Sequence, residues 1–294
     1  MLWEPRGAVL SAALHAFKGT LMPLVLEPAA PDVLSIDLAG IVPDRLAECS
    51  TAEIARLEIR ADGQPVELGS LFRVRGDCTD GRIECNGDFS RVHRLAAAMV
   101  AGEMIVRGSV GRHAGAGMRG GRFSVSGAAG DWLAAEMTGG TIRIGGRTGD
   151  NAAAALPGCE TGMRGGLVMV AGDAGCLAGA RMRRGLLAIG GDCGDGAAFE
   201  LRAGTVLVAG ATGPRAGLGM RRGSLIAGGL QPAVPPTFRR GAAWAPTFLQ
   251  LLAGRLQNAG FLPGGRDCRS FLGGIWQQWH GDLLAGGRGE IFHR

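Results

Sequence analysis

The chain contains no tyrosine and a single lysine, Lys18, among its 294 residues. The other 30 of its 31 basic residues are arginines, aromatic residues make up only 5%, and the net charge is a mild +5. Proteins that bind single-stranded nucleic acid commonly stack the bases on aromatic side chains. We therefore predict no nucleic-acid partner. Arginine is instead suited to the bidentate recognition of carboxylates and phosphates.

Paired cysteine motifs are also absent. The seven cysteines are odd in number and include no CxxC pair, which argues against a disulfide framework and against zinc or iron–sulfur sites. Reduced thiols are typical of cytoplasmic proteins, and no apolar run reaches the length of a membrane span. We therefore predict a cytoplasmic chain without a membrane segment.

Motifs of known catalytic sites are missing as well. The five histidines form no HxH or HExxH pair, and neither GxSxG nor a P-loop occurs. The segment GGRTGDN at 145–151 is rich in glycine, but glycine recurs regularly along this chain. His113 is interpreted as a turn residue rather than a metal ligand. We predict no catalytic residue and no metal ligand.

A 19-residue repeat fills the middle of the chain. Five of the six steps between units are 19 residues long, and the step from Met137 to Met163 is 26. Within a unit, glycines recur at positions 4, 10 and, in most units, 13, counted from the first residue. A fixed period of this length is the signature of a solenoid. The units begin at Met99, Met118, Met137, Met163, Met182, Leu201 and Met220.

Positions 6 and 8 of every unit are apolar, as in Phe123 and Val125, and this alternation predicts a strand with one buried face. Nineteen residues cannot hold two strands and a long helix. We therefore predict an all-β fold: a right-handed parallel β-helix of about eight coils, stacked about 4.8 Å apart. A small α+β N-terminal cap and a partly helical C-terminal tail would cover its ends.

The predicted organisation has four parts. Residues 1–21 form an extension that we expect to be either non-native or loosely ordered, because regular patterning begins only after Met22. Residues 22–76 form the cap, 77–229 the β-helix and 230–294 the tail.

Four local predictions go with these parts. The segment 51–59 is predicted to form one short helix or a strand–helix pair, with Thr51 as the candidate N-cap. LFRVRG at 71–76 resembles the strand of a partial repeat. Two helices are predicted in the tail from apolar spacing. Their faces are Phe248, Leu249, Leu252 and Leu256 for the first, and Phe271, Leu272, Ile275, Trp276 and Trp279 for the second.

Position 1 is a row of methionine and leucine, which we interpret as core filling rather than as a metal-binding cluster. Position 2 carries arginines that stacking would place in one line on one face, with Val100 and Thr138 as gaps. Like charges so close repel. Backbone carbonyls at the corners of the coils, or acidic neighbours, could compensate the positive charge of the row. Alternatively, an anionic ligand or partner could bind it. The arginines are Arg119, Arg164, Arg183, Arg202 and Arg221.

The period breaks once, at 150–162, where a seven-residue excess must bulge out of a stacked array. This insertion is either a tolerated excursion or a loop through which the chain contacts another protein of an assembly. Cys159 and Glu160 are its reactive groups.

The motif M-R-x-G-x-Φ-x-Φ-x-G-x-x-G, where Φ is apolar, resembles the C-terminal domain of the glutamate synthase large subunit. It resembles more closely the C subunit of formylmethanofuran dehydrogenase and its bacterial counterpart in the formyltransferase/hydrolase complex. This second resemblance extends over about residues 22–294. It includes LVLEP at 24–28, STAEIARLEI at 50–59, LFRVRGD at 71–77, and the tail segments PTFLQLL and GDLLAGGRGEI.

The resemblance implies a non-catalytic scaffold subunit in a complex of one-carbon oxidation in methylotrophy. That complex passes a formyl group from a tetrahydromethanopterin carrier to a methanofuran-type carrier and releases formate. Its partners would be three further proteins: the amidohydrolase-like A subunit, which holds the metal, the B subunit, and the formyltransferase, which is the D subunit. Archaeal relatives use a molybdenum or tungsten protein instead. No catalytic residue can be transferred to this chain.

Methanofuran-type carriers have acidic glutamate tails, so the resemblance also suggests a ligand for the arginine row. Arg164, Arg183, Arg202 and Arg221 are our candidate residues for binding such a tail. Two alternative functions remain: the C subunit of a molybdenum or tungsten formylmethanofuran dehydrogenase, and a glutamate synthase-like β-helical binding module. An acyltransferase on a hexapeptide helix is disfavoured, because its coils are 18 residues long and here the period is 19.

Overall fold

The computed structural model describes residues 22–29, 33–229 and 234–294. The extension proposed for residues 1–21 lies outside the described residues. The strands are β1 (Leu24–Pro28), β2 (Ile36–Asp37), β3 (Glu58–Ala61), β4 (Gln64–Glu67), β5 (Phe72–Arg75), β6 (Arg82–Asn86), β7 (Val92–His93), β8 (Glu103–Arg107), β9 (Arg122–Val125), β10 (Thr141–Ile144), β11 (Arg164–Val170), β12 (Arg184–Ile189), β13 (Thr205–Val208), β14 (Arg222–Ala227), β15 (Arg239–Trp244), β16 (Trp276–Gly281) and β17 (Arg288–His293).

The helices are few and short. They are α1 (Pro43–Leu46), α2 (Thr51–Ala55), α3 (Leu68–Leu71), α4 (Thr247–Asn258) and α5 (Cys268–Leu272), with 3₁₀ turns at Pro263–Gly265 and Leu283–Ala285. No helix in the described ranges is long and apolar enough to cross a bilayer.

A 13-stranded, mostly parallel sheet forms the body of the molecule, and its order is β15-β16-β17-β14-β13-β12-β11-β10-β9-β8-β6-β1-β5. Each repeat adds one strand in register with the last, so that Phe123 pairs with Ile142 and Val125 with Ile144. The prediction of an all-β chain built on parallel strands is confirmed at this level. Strands from both flanks of the repeats also join this sheet, since β1 pairs in parallel with β6 and β17 with β14.

Six of the seven repeats, those that begin at Met99 through Leu201, also contribute to a second row of parallel pairing, at position 12. The row runs Phe89, Val110, Ala129, Thr148, Ala174, Cys193 and Thr212. Between this row and the next position 1, the backbone passes repeatedly through left-handed conformations, even at residues with side chains: φ is +59° at His113, +61° at Trp132 and +55° at Ala134. Glycine alone therefore does not mark these corners.

The interior is filled by one apolar cluster, to which the repeats contribute mainly positions 1, 6, 8, 12 and 16 and the N-terminal part adds further apolar residues. Met118, Met137 and Met182 are fully buried in it, as the core interpretation of position 1 predicts. Gly140 sits at φ +90°, and a Cβ there would lie 2.8 Å from Cε of Met118 in the preceding repeat. The methionine row and the glycine at position 4 are thus complementary.

A second apolar cluster covers the outer face of the sheet over β11–β14. Position 7 points outward, and there it is Met169, Ala188, Leu207 and Ile226. Helices α4 and α5 pack on this face, whereas the same position in β9 and β10 is Ser124 and Arg143. The tail therefore covers a side of the sheet as well as adding strands to its end.

Three local predictions are wrong. The N-cap of α2 is Ser50, not Thr51, because Ser50 and Glu53 form a reciprocal capping box. Strand β5 pairs antiparallel with β1, so it is not the strand of a partial repeat.

The second helical face proposed in the tail is the third error. Helix α5 ends at Leu272, and the chain turns at Gly274, where φ is +79°. Trp276 then begins strand β16. The first tail helix is confirmed as α4, with Leu249, Ala253 and Leu256 on its buried face.

Candidate functional site: an arginine row beside the inserted loop

The backbone places position 2 of successive repeats in one line. The amide of Arg183 donates to the carbonyl of Met163 at 2.8 Å, and the amide of Arg221 donates to that of Leu201 at 2.7 Å. Arg164 and Arg202 make the same bond to position 1 of the preceding repeat. Neighbouring members are therefore one strand spacing apart, about 4.8 Å. We call Arg164, Arg183, Arg202 and Arg221 the arginine row.

Three members of the row are exposed and carry uncompensated charge. Arg164, Arg183 and Arg221 are exposed, and their guanidinium groups make no hydrogen bond or ion pair in the described part of the chain. Two unit charges at this separation repel by on the order of 1 kcal/mol in water. Corner carbonyls, one of the compensations considered from the sequence, do not neutralise these three residues.

Further arginines widen the positive surface at position 3. Arg184 and Arg222 directly follow members of the row and are exposed. Arg222 pairs in register with Arg288, which is also exposed, on the last strand. Arg288 lies in the tail and joins this surface because β17 extends the sheet.

Arg202 differs from the other members because it has an acidic partner. Its Nη1 lies 3.5 Å from Oε2 of Glu160, and its side chain is only 28% exposed, against 86% for Glu160. Glu160 belongs to the insertion at 150–162. The two features that the sequence left unexplained, the row and the break in the period, therefore meet at this ion pair.

The insertion is held in place mainly by backbone contacts and by Glu136. Oε1 of Glu136 accepts a hydrogen bond from the amide of Leu156 at 3.3 Å. A second hydrogen bond, between Glu136 and the Cys159 thiol, raises the pKa of that thiol. The Cys159 thiol therefore helps to fix the loop on Glu136. The far end is fixed by the amide of Gly162, which donates to the carbonyl of Arg181 at 3.0 Å.

Glu136 was missed by the sequence interpretation. It lies at position 19, one residue before Met137, and the left-handed φ of +55° there is one that the sequence did not signal. The signal in the sequence was the position of Glu136 one repeat before the insertion, because stacking of the repeats brings this residue next to the inserted residues.

His113 lies in a turn, as predicted. Its ring stacks on that of Trp132, one repeat along, with centroids 6.1 Å apart and planes 8° apart. Burial lowers the pKa of His113, and the nearby charges of Arg94 and Arg112 lower it further. Within the described ranges no three His, Cys, Asp or Glu side chains are grouped as metal ligands. The arginine row is therefore the candidate site considered further.

Comparison with known proteins identifies relatives over most of the chain. One chain of the formyltransferase/hydrolase complex (FhcABCD) from Methylorubrum extorquens, solved in complex with methylofuran, superposes with a TM-score of 0.83 and is 34% identical. The match covers 92% of this chain and 98% of that one.

Three proteins from two other genera match a shorter region. The C subunit of the tungsten-containing formylmethanofuran dehydrogenase 2 is 34% identical over 98 residues in Methanothermobacter wolfeii and 32% identical in Methanothermobacter marburgensis. The C subunit of the molybdenum-containing enzyme 1 of Methanosarcina barkeri is 30% identical over 99 residues. The matched region spans 36% of the length of the first.

No family model matches the chain. The chain nevertheless superposes almost completely on one relative that is 34% identical, which is more than a shared fold alone requires. The shorter matches are all to C subunits of formylmethanofuran dehydrogenases. The chain belongs to the family of formylmethanofuran dehydrogenase C subunits, as their counterpart in the formyltransferase/hydrolase complex.

Proposed function

We propose that this chain is the scaffold subunit of a formyltransferase/hydrolase complex. The complex would move a formyl group from a tetrahydromethanopterin carrier to a methanofuran-type carrier and release formate. The observation that carries the proposal is the 98% coverage of a chain from such a complex. The partners would be the amidohydrolase-like A subunit with its metal, the B subunit, and the formyltransferase D subunit.

We further propose that the repeats wind into a parallel β-helix. Support comes from two separate rows of parallel pairing, one through the large sheet and one through position 12, both advancing one repeat at a time. The buried methionines lie with the apolar strand residues in one continuous cluster. Such a rod is a rigid platform, because each repeat is held by hydrogen bonds to both of its neighbours.

A non-catalytic role is supported by how the polar groups are used. Asp131, Asp150, Asp173 and Asp192 each accept a hydrogen bond from a backbone amide of the following repeat. These carboxylates therefore join repeats, and chemistry on the formyl group is left to the partner proteins.

The arginine row is proposed to hold the acidic tail of the methanofuran-type carrier. Arg183 and Arg221 present free guanidinium groups at regular spacing, and a carboxylate of the chain itself already sits on Arg202. Arginine binds carboxylates through paired N–H donors. A row of such groups would attract and orient a chain of carboxylates while its reactive end visits the active sites of the partners.

Co-purification tests the scaffold role. When the tagged chain is purified from its own cells, an amidohydrolase-like protein and a formyltransferase should co-purify with it. Mass spectrometry would identify both proteins. Isolation of the chain alone would refute the proposal. A molybdenum or tungsten protein in place of the formyltransferase would identify the second candidate, formylmethanofuran dehydrogenase, which the matches to the tungsten- and molybdenum-containing enzymes favour.

The triple variant Arg183→Gln, Arg202→Gln and Arg221→Gln tests the row. Each exposed charge pair is worth about 0.2–1 kcal/mol, so loss of three should raise KM for the carrier by about 3- to 150-fold at low salt. The effect should shrink as salt rises. The matched control replaces Arg56, Arg60 and Arg73, which are exposed residues of the N-terminal part, and should leave KM unchanged. Equal effects of the two triple variants would refute the role of the row.

A further inference from the structure

We infer that Glu160 is a built-in competitor for the ligand of the arginine row: it holds Arg202 with its own carboxylate, and a carboxylate of the ligand displaces it on binding. This inference rests on the proposed role of the row. It assigns the insertion a regulatory task and defines the ligand as a chain of carboxylates that spans at least three repeats.

The first argument is the placement of the insertion. The loop leaves the array before Met163, yet its Glu160 reaches Arg202, two repeats further along the row. Its base is fixed on the way, at Leu156 by Glu136 and at Gly162 by the carbonyl of Arg181. A loop that is anchored at its base and directs one carboxylate onto the row is more than a tolerated excursion.

The second argument is that this contact is the easiest part of the loop to displace. The Glu160 side chain is 86% exposed and meets Arg202 through a single contact of 3.5 Å. Exposed ion pairs of this kind are worth only about 0.2–1 kcal/mol. The anchors of the loop do not involve Glu160, so its side chain can swing away while the loop keeps its conformation.

The third argument concerns Arg202, the arginine that Glu160 contacts. Arg202 is only 28% exposed and is flanked along the row by the exposed Arg183 and Arg221. A ligand carboxylate gains more at a partly desolvated guanidinium than at a fully solvated one. A ligand that bridges Arg183 and Arg221 must pass Arg202, where its carboxylate competes with Glu160 for the Nη1 group.

The experiment measures binding of a fluorescently labelled hexaglutamate peptide to the full chain at low salt. Glu160→Gln should lower the Kd by about two- to fivefold, the range expected when an exposed ion pair no longer competes. In the Arg202→Gln background the same change should alter the Kd by less than about 1.5-fold, because no contact remains to compete for.

Glu200→Gln is the matched control. Glu200 pairs with Arg181 at 2.8 Å, outside the row, and its replacement changes the net charge by the same amount. A gain from Glu200→Gln as large as that from Glu160→Gln would overturn the inference in favour of a bulk charge effect. So would an unchanged Kd in Glu160→Gln while the row variants still weaken binding. A Kd that does not change when the arginines of the row are replaced would instead refute the proposed function of the row.

Discussion

Replacing Leu256 by alanine tests whether α4 stabilises the sheet from outside. Leu256 is fully buried in the outer apolar cluster, with Leu207 and Phe292 among its members. A leucine-to-alanine change at a buried site costs the transfer free energy of the lost methyl and methylene groups and the cost of the cavity left behind. Together these reach about 2–5 kcal/mol.

Leu251 provides a control on the same helix. It is 74% exposed, so the same substitution removes almost no buried area while the change in helix propensity is identical. Surface substitutions usually stay within about 0.5 kcal/mol. We expect Leu251→Ala to unfold at nearly the same urea concentration as the unmodified chain, and Leu256→Ala to unfold well below it.

The assay is urea unfolding followed by tryptophan fluorescence and by far-ultraviolet circular dichroism. Trp276 is fully buried in the same cluster and reports directly on it. If the two variants differ by less than about 0.5 kcal/mol in their free energy of unfolding, α4 does not pack on the sheet as described.

Two further predictions concern the corners and the thiols. Gly191→Ala should destabilise the chain, because the new Cβ would lie 2.0 Å from Oδ1 of Asp173. In thermal unfolding, the double variant with Asp173→Ala should lose less stability than the sum of the two single variants. Strictly additive losses would contradict the clash. Burial raises the pKa of Cys85 and of Cys193 to about 12. Below about pH 9 these thiols are protonated in both states, so stability falls only as pH rises from about 9 towards 12, where the unfolded thiols ionise first. Alanine at both sites should flatten that decline in urea titrations, while mass spectrometry after native alkylation should find the exposed Cys176 modified and the other two intact.

The repeat predicted the inner face of the sheet well because positions 6 and 8 alternate in every unit. It also held a second signal that was not used. Position 7 changes from Ser124 and Arg143 to Met169 and Leu207 along the array, and an apolar residue on both faces of a strand indicates a sheet covered on both sides.

The left-handed corners were hidden from sequence because side chains stand where glycine would be expected. His113 and Trp132 adopt positive φ angles, and each donates its backbone amide to a carbonyl of the following repeat, that of Asp131 and that of Asp150, at 2.8 Å. In contrast, Ser50 and Glu53 had the spacing of a capping box and could have been found. The tail strand at Trp276 could not, since its apolar spacing also fits a helix.

The arginine row was predictable because stacking fixes it. Its pairing with Glu160 was not, because a seven-residue excess has no register from which a contact can be derived. Only the folded loop, anchored by Glu136, shows which arginine is occupied.

Strand β17 also determines when the molecule can be completed during synthesis. Its Ile291 enters the inner cluster and the next residue, Phe292, enters the outer one. The ribosome makes these residues after all the repeats, so β14 keeps an unpaired edge until they emerge. Newly made repeats therefore expose both a sheet edge and an apolar surface, and they need protection from aggregation until the last strand arrives.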